Sequence, residues 1–175
     1  RRTGTQVATV AADVGNPADV ERIGQAAMER FGRIDTWINN AGISIFGRNE
    51  DVSLDDMQRL FDTNYCGVVH GSLEAVKHMK ARGGGTIVNL GSELSDHSIP
   101  LQGIYAASKH AVKAFTDSLR VELEKDKAPI SVTLVKPAAV DTMFVAHAKN
   151  YMDKEPSVPP PVYAPQLVAK AILYA

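Results

Sequence analysis

The chain has 175 residues, 19 Lys plus Arg against 20 Asp plus Glu, a formal net charge of −1, 45 % hydrophobic and 22 % charged residues, the composition of an ordinary globular domain. Lacking a basic excess, it has little with which to displace counterions from phosphates, which argues against nucleic acid or an anionic membrane surface as a main partner. Cys66 is the single cysteine and the five histidines show no H-E-x-x-H spacing, so no intrachain disulfide or metal centre is expected, and the expected location is cytoplasmic.

In chain order, β-rich runs at 6–12, 34–39, 86–90 and 130–136 are each followed by a helical pattern. This alternation predicts an α/β fold, a doubly wound parallel sheet in three layers, α/β/α. After the first run Asn16 is placed to cap a helix, Pro17 enters its first turn, and Val20, Ile23, Ala27 and Phe31 recur at helical spacing until Gly32. Ser53 and Asp56 have the spacing of a capping box, and Met57, Leu60, Phe61, Val68, Leu73, Val76 and Met79 predict one long helix ending at Gly83, Gly84 and Gly85. Over 105–125, Val112, Phe115, Leu119 and Leu123 mark one helical face, and Pro129 closes it. Residues 137–165 carry six prolines and predict a long loop, with a helix over 166–175. The whole, 1–175, reads as a single domain.

Ligands of an open parallel sheet bind at the carboxyl ends of its strands. Here those ends are polar: Asp13, then Asn39, Asn40, Ala41 and Gly42, then Gly91 and Ser92, then Lys136 and Pro137. Tyr105 and Lys109 stand four residues apart at a helix start, on the side shared by Val112, Leu119 and Leu123, which would bring them to Ser92. A lysine ammonium beside a phenol favours the phenolate, so a lowered Tyr105 pKa and a usable general base are expected. On spacing alone, a surface Tyr and Lys on a first helical turn is an equal alternative.

At this constellation the chain resembles the short-chain dehydrogenase/reductase family over nearly all its length. Tyr105 to Lys109 matches Y-x-x-x-K, Ser92 lies thirteen residues upstream, Asn64 to Gly67 matches N-x-x-G, and Asn39 to Gly42 matches N-N-A-G. A lone Y-x-x-x-K is a weak signal, but four motifs in order on the expected elements are a strong one. The resemblance implies a Rossmann-like oxidoreductase that moves a hydride between NAD or NADP and an alcohol or ketone. It further implies Tyr105 as the acid/base, Ser92 as hydrogen-bond partner of the substrate oxygen, Lys109 on the nicotinamide ribose and Asn64 as anchor of a relay water. Asp13 and Val14 would border the adenine, Asn40, Ala41 and Gly42 would let the cofactor approach the backbone, Val140 and Thr142 would contact its carboxamide, and Pro137 would also belong to the cofactor site. Alternatives stand beside these roles: Asn64 as a buried, backbone-satisfied amide, Ser92 as a turn former, Asp13 as a cap, and Asn40 and Gly42 as a turn.

Two departures accompany the resemblance. Pro137 is followed by Ala138 and Ala139 rather than glycine, so a different loop path is expected. The family's T-G-x-x-x-G-x-G turn does not occur in these 175 residues, so the fold is expected to be incomplete at both ends, and a non-catalytic subunit or interaction protein is the alternative to an enzyme. Residues 138–165 would form the substrate loop, and Leu94, Ile99, Leu101, Met143, Phe144, Val145 and Tyr151 suggest an apolar pocket. The two long helices resemble those that pair subunits in this family, implying a homodimer or homotetramer. Pro160 to Tyr163 also has the P-P-x-Y form that WW domains read, against the simpler reading of a loop entering a helix.

Overall fold

The computed structural model describes residues 4–175. Asn16 caps α1 (Pro17–Phe31) by accepting from the Ala18 amide at 3.1 Å, and Gly32 closes it. β1 (Thr36–Asn39) and a short β2 (Ile45–Phe46) follow. Ser53 caps α2 (Leu54–Phe61) by accepting from the Asp56 amide at 3.2 Å. The expected single long helix is interrupted: Asp62–Cys66 form a π-helical turn before α3 (Gly67–Arg82). Then come β3 (Gly85–Leu90), a 3₁₀ turn (Glu93–Ser95), α4 (Gly103–Lys125), β4 (Ile130–Val135), β5 (Lys149–Asn150) and α5 (Pro165–Tyr174).

β1, β3 and β4 form a parallel sheet in the order β1-β3-β4, with Thr36 opposite Thr86 and Thr86 opposite Ser131. On one face Ile87 and Val132 pack with Ala75 and Met79 of α3 and Leu119 and Leu123 of α4. Burying each of the larger side chains stabilises the fold by roughly 1.5–3 kcal/mol. Thr133, next to Val132 and so on the opposite face, has its hydroxyl 3.5 Å from the Ala175 carbonyl behind α5. Helices thus lie on both faces of the sheet, the Rossmann-like arrangement the alternation predicts. A second core, of Ile45, Val52, Leu60, Leu94, Tyr105 and Ala106, gathers at the carboxyl end of the strands.

The run at 6–12 is a correction. It is β-rich in sequence but pairs with no strand among the described residues, and its side chains are mostly exposed. Strand structure needs a ladder partner, and propensity does not replace one. Its end is held to α1 instead: Arg22 donates to the Ala11 carbonyl at 3.3 Å and the Asp13 amide donates to Asp19 at 2.8 Å.

The loop over 137–165 is more ordered than its prolines suggest. β5 pairs parallel with β2, placing Ile45 opposite Lys149 and Phe46 opposite Asn150. Tyr163 bridges back to Val140, its amide donating to the Ala139 carbonyl at 2.8 Å and its carbonyl accepting from the Asp141 amide at 2.9 Å. The P-P-x-Y stretch is therefore folded into the loop, with its tyrosine backbone already paired.

Candidate active site

The strands deliver their polar ends to one cavity of about 690 Å³, whose wall includes Asn40, Ala41, Gly42, Ser92, Tyr105, Lys109, Pro137, Val140 and Thr142. Tyr105 and Lys109 are not a surface pair. They are 8 % and 5 % exposed, because the buried face of α4 carries them inward together with Val112, Leu119 and Leu123.

Lys109 Nζ donates to the Leu90 carbonyl at the end of β3 at 2.8 Å and lies 5.7 Å from the centre of the Tyr105 ring. Burial pushes the Lys109 ammonium down to about 8. Burial likewise pushes the Tyr105 phenol up, against a smaller downward pull from its hydrogen bond with Ser92. This corrects the expected lowering of the tyrosine: in a dry site, taking the phenolate out of water outweighs the hydrogen bond that favours it. Phe144 from the loop meets the Tyr105 ring edge-on, 6.0 Å between centroids, and closes that side.

Ser92 combines two of its possible roles. It is the N-cap of the 3₁₀ turn, its hydroxyl accepting from the Leu94 amide at 3.1 Å, and it lies near enough to the Tyr105 phenol to pull its pKa downward. The cap fixes the serine rotamer that the phenol meets.

Asn64 sits within the π-helical turn, fully buried. Such turns insert one residue and displace the local backbone, often at functional positions. Its amide nitrogen donates to the Ile43 carbonyl at 2.9 Å and to Ser108 Oγ at 3.2 Å, and its oxygen accepts from the Ile43 amide at 2.8 Å. Ser108 in turn donates to the Tyr105 carbonyl at 2.7 Å. The backbone-satisfied amide is thus realised, and only acceptor capacity on its oxygen is left for a water. Gly42 lies beside both groups: a Cβ there would sit in ordinary contact, 3.5 Å from Asn64 Oδ1 and 3.8 Å from Lys109 Nζ.

A second groove borders the cavity and shares Asn40 and Ala41 with it; Val14, Ile38, Thr63 and Gly67 are among its walls. Asp13, the residue before Val14, lines neither of them itself; its carboxylate accepts from the Gly15 amide at 2.9 Å and its carbonyl from the Asn16 amide at 3.0 Å. Ala138 and Ala139 take no positive φ, so the loop accommodates alanine without backbone strain.

Of the expected apolar wall, Leu94, Ile99, Met143, Phe144 and Val145 line the cavity, whereas Leu101 and Tyr151 do not. Leu101 is turned at φ 69° with its carbonyl accepting from the Gly47 amide. Tyr151 points to α2, because its hydroxyl finds a carboxylate there. The sequence reading missed Phe46 and Gln102, both on the cavity wall, and Ser108 behind it. Ser108 was accessible from the i to i+3 spacing to Tyr105; Gln102 carries no such signal, its amide donating to Ser44 at 3.2 Å across 58 positions.

The family model described as short chain dehydrogenase matches residues 1–153. The chain is 46 % identical over 177 aligned residues to the uncharacterized oxidoreductase YxnA of Bacillus subtilis (strain 168), covering all of this chain and 50 % of that protein. It is similar in structure to an alcohol dehydrogenase from the archaeon Thermococcus sibiricus complexed with 5-hydroxy-NADP, with TM-score 0.83 and 25 % identity over 98 % of this chain and 68 % of that one. It is also similar to a short chain dehydrogenase/reductase from Burkholderia phymatum in complex with NAD, with TM-score 0.81 and 30 % identity over 98 % of this chain and 62 % of that one. The chain spans about half the length of the curated relatives it matches.

Proposed function

The chain belongs to the short-chain dehydrogenase family, and from that premise we propose that its cavity is where an oxidoreductase interconverts an alcohol and a ketone with NAD or NADP. The observation that carries this reading is the convergence of Ser92, Tyr105 and Lys109 on one cavity wall, with Asn64 directly behind them.

The described residues fit a dinucleotide laid across Asn40 and Ala41, which belong to both the cavity and the second groove. In this reading Val14 and Asp13 border the adenine end, Asn40, Gly42 and Lys109 hold the nicotinamide ribose, and Pro137, Val140 and Thr142 face the carboxamide. The nicotinamide, when bound, supplies or takes the hydride.

The chain's own residues handle the proton. A carbonyl oxygen gaining charge is met by two hydroxyls, Ser92 and Tyr105, fixed before the reaction begins. A phenol raised by burial is protonated at neutral pH, the state needed to donate to the nascent alkoxide. As the proton leaves, the phenolate faces Lys109, which at about 8 is still mostly charged at pH 7. Asn64 holds Ile43, on the stretch between β1 and β2, and Ser108, within the Tyr105 to Lys109 turn, in one register.

Residues 138–165 form the substrate loop in this proposal, and the apolar walls Leu94, Ile99, Met143, Phe144 and Val145 favour an apolar ketone. We further infer a cytoplasmic homodimer or homotetramer, on the resemblance of α3 and α4 to the helices that pair subunits in this family; each of the two keeps a large apolar side chain in solvent, Leu73 and Val121 at 52 % and 62 % exposure. The test uses the full-length protein: NADH and NADPH fluorescence titrations, then nicotinamide absorbance with acetophenone and with glucose 6-phosphate. Cofactor binding with faster turnover of acetophenone is expected; failure to bind either cofactor overturns the enzymatic reading.

A further inference from the structure

Tyr151 was expected on the cavity wall, and its actual position calls for another role. The loop lines the cavity with two stretches, one from Thr142 to His147 and one from Ser157 to Pro159. Between them the chain leaves the cavity as β5 and is tied down. The Lys149 amide donates to the Ser44 carbonyl at 2.9 Å and the Tyr151 amide to the Phe46 carbonyl at 2.7 Å. The Tyr151 side chain then crosses to the N-terminus of α2, its hydroxyl 2.5 Å from Asp56 Oδ2 and 3.1 Å from Ser53 Oγ.

A phenol has one proton, and the ionised carboxylate is the better acceptor, so that proton goes to Asp56. The phenol oxygen is left to accept from the Ser53 amide at 3.3 Å. Lys149 Nζ lies 3.4 Å from the same carboxylate, whose side chain is 25 % exposed. Gly47 makes the crossing possible: a Cβ there would lie 2.7 Å from the Tyr151 Cβ. The segment receiving the tie carries Phe46 of β2, a cavity wall, and, just before the strand, Ser44, whose hydroxyl accepts from Gln102 at the start of α4.

We propose that Tyr151, held by Asp56 and Ser53, is the latch that positions the loop over the cavity. It is a positioning residue and touches no reacting atom. The pinned point lies between the two lining stretches, so its release loosens both while leaving Ser92, Tyr105 and Lys109 on their own elements. That the loop contacts substrate rests on the proposed function; the latch does not.

In the full-length protein Tyr151→Phe keeps the ring and removes the hydroxyl. Amide hydrogen exchange over 143–158 is expected to speed up by at least about tenfold, with 86–90 and 105–125 unchanged. For acetophenone reduction KM should rise about fivefold, with kcat within about twofold and cofactor KM unmoved. Asp56→Ala should match it, and Asp56→Asn, which keeps an acceptor, should fall between Asp56→Ala and the parent. Unchanged exchange over 143–158 in both Tyr151→Phe and Asp56→Ala overturns the latch, as does a loss carried by kcat at constant KM. If the parent protein turns over no ketone, the proposed function fails while exchange alone still decides the latch.

Discussion

Two buried polar clusters lie between the sheet and its helices, and they are built differently. In the first, Trp37 donates to Asn39 at 2.8 Å, Asn39 donates to Asn89 at 2.8 Å and Ser72 at 3.0 Å, and Asn89 donates to Thr116 at 3.0 Å. It closes on itself, with Thr116 donating to the Val112 carbonyl at 2.7 Å, and holds no titratable group. In the second, Asn64, Ser108, Tyr105, Lys109 and Ser92 end at a cavity, with a phenol pushed up and an ammonium pushed down by burial. A closed network contributes rigidity, because every donor is answered; an open one carries the cost of burying charge and keeps groups ready to exchange protons.

The sharpest way to break this contrast is Tyr105→Phe in the full-length protein. Turnover should fall by about 10²–10⁴-fold, the usual worth of a general acid/base, with cofactor binding retained in the same fluorescence titration. Turnover within tenfold of the parent would remove Tyr105 from its role. The complementary change, Asn89→Ala, removes the acceptor shared by Asn39 and Ser72 and the donor to Thr116, while Asn39 keeps Ser72 and Thr116 keeps the Val112 carbonyl, and should cost about 1–3 kcal/mol of stability by urea unfolding. The rate per folded molecule should remain near that of the parent.

A milder probe is Gly71→Ala on α3. Alanine gains about 1 kcal/mol of helix propensity, but its Cβ would lie 2.1 Å from Asn39 Oδ1 and 2.7 Å from Trp37 Nε1. The clash and lost hydrogen bond should win, leaving a net loss of roughly 1–2 kcal/mol in the same unfolding assay.

The smallest effect is a slope. Lys109 has a folded pKa of about 8 against 10.5 for the ordinary side chain, so from pH 8 upward the unfolded chain binds more protons. Stability of the cofactor-free protein should therefore gain from Lys109 between pH 8 and 10, by on the order of 1 kcal/mol per pH unit. The raised Tyr105 acts in the opposite direction above pH 10, where the unfolded tyrosine ionises first. Lys109→Met should flatten the rise between pH 8 and 10, and an unchanged slope would mean the ammonium is not desolvated.

The parts of the fold legible in the sequence were those set by local pattern. Asn16, Ser53 and Gly32 end helices where their side chains and backbone dictate, and Tyr105 and Lys109 share a face because a helix turns that way. Non-local features were not legible. Residues 6–12 have strand chemistry without a neighbouring ladder, and β2 and β5 are two residues each, too short for any period to show. The sign of the Tyr105 shift depends on how much water burial removes, which spacing does not report. Tyr151 was placed by its ring, whereas its hydroxyl and a carboxylate 95 positions away decide where it lies.

The π-helical turn at Asp62–Cys66 also works as a phase adjuster. Leu60, just before it, packs in the core beneath the cavity, whereas Ala75 and Met79, beyond it, pack against the sheet. One residue fewer in this stretch would rotate everything upstream by about 100° relative to α3, turning Leu60 out of its core and carrying Asp56 away from Tyr151. The two hydrophobic cores are thus keyed to one another through a single surplus residue, and a one-residue deletion there should uncouple them more severely than any side-chain substitution in the same turn.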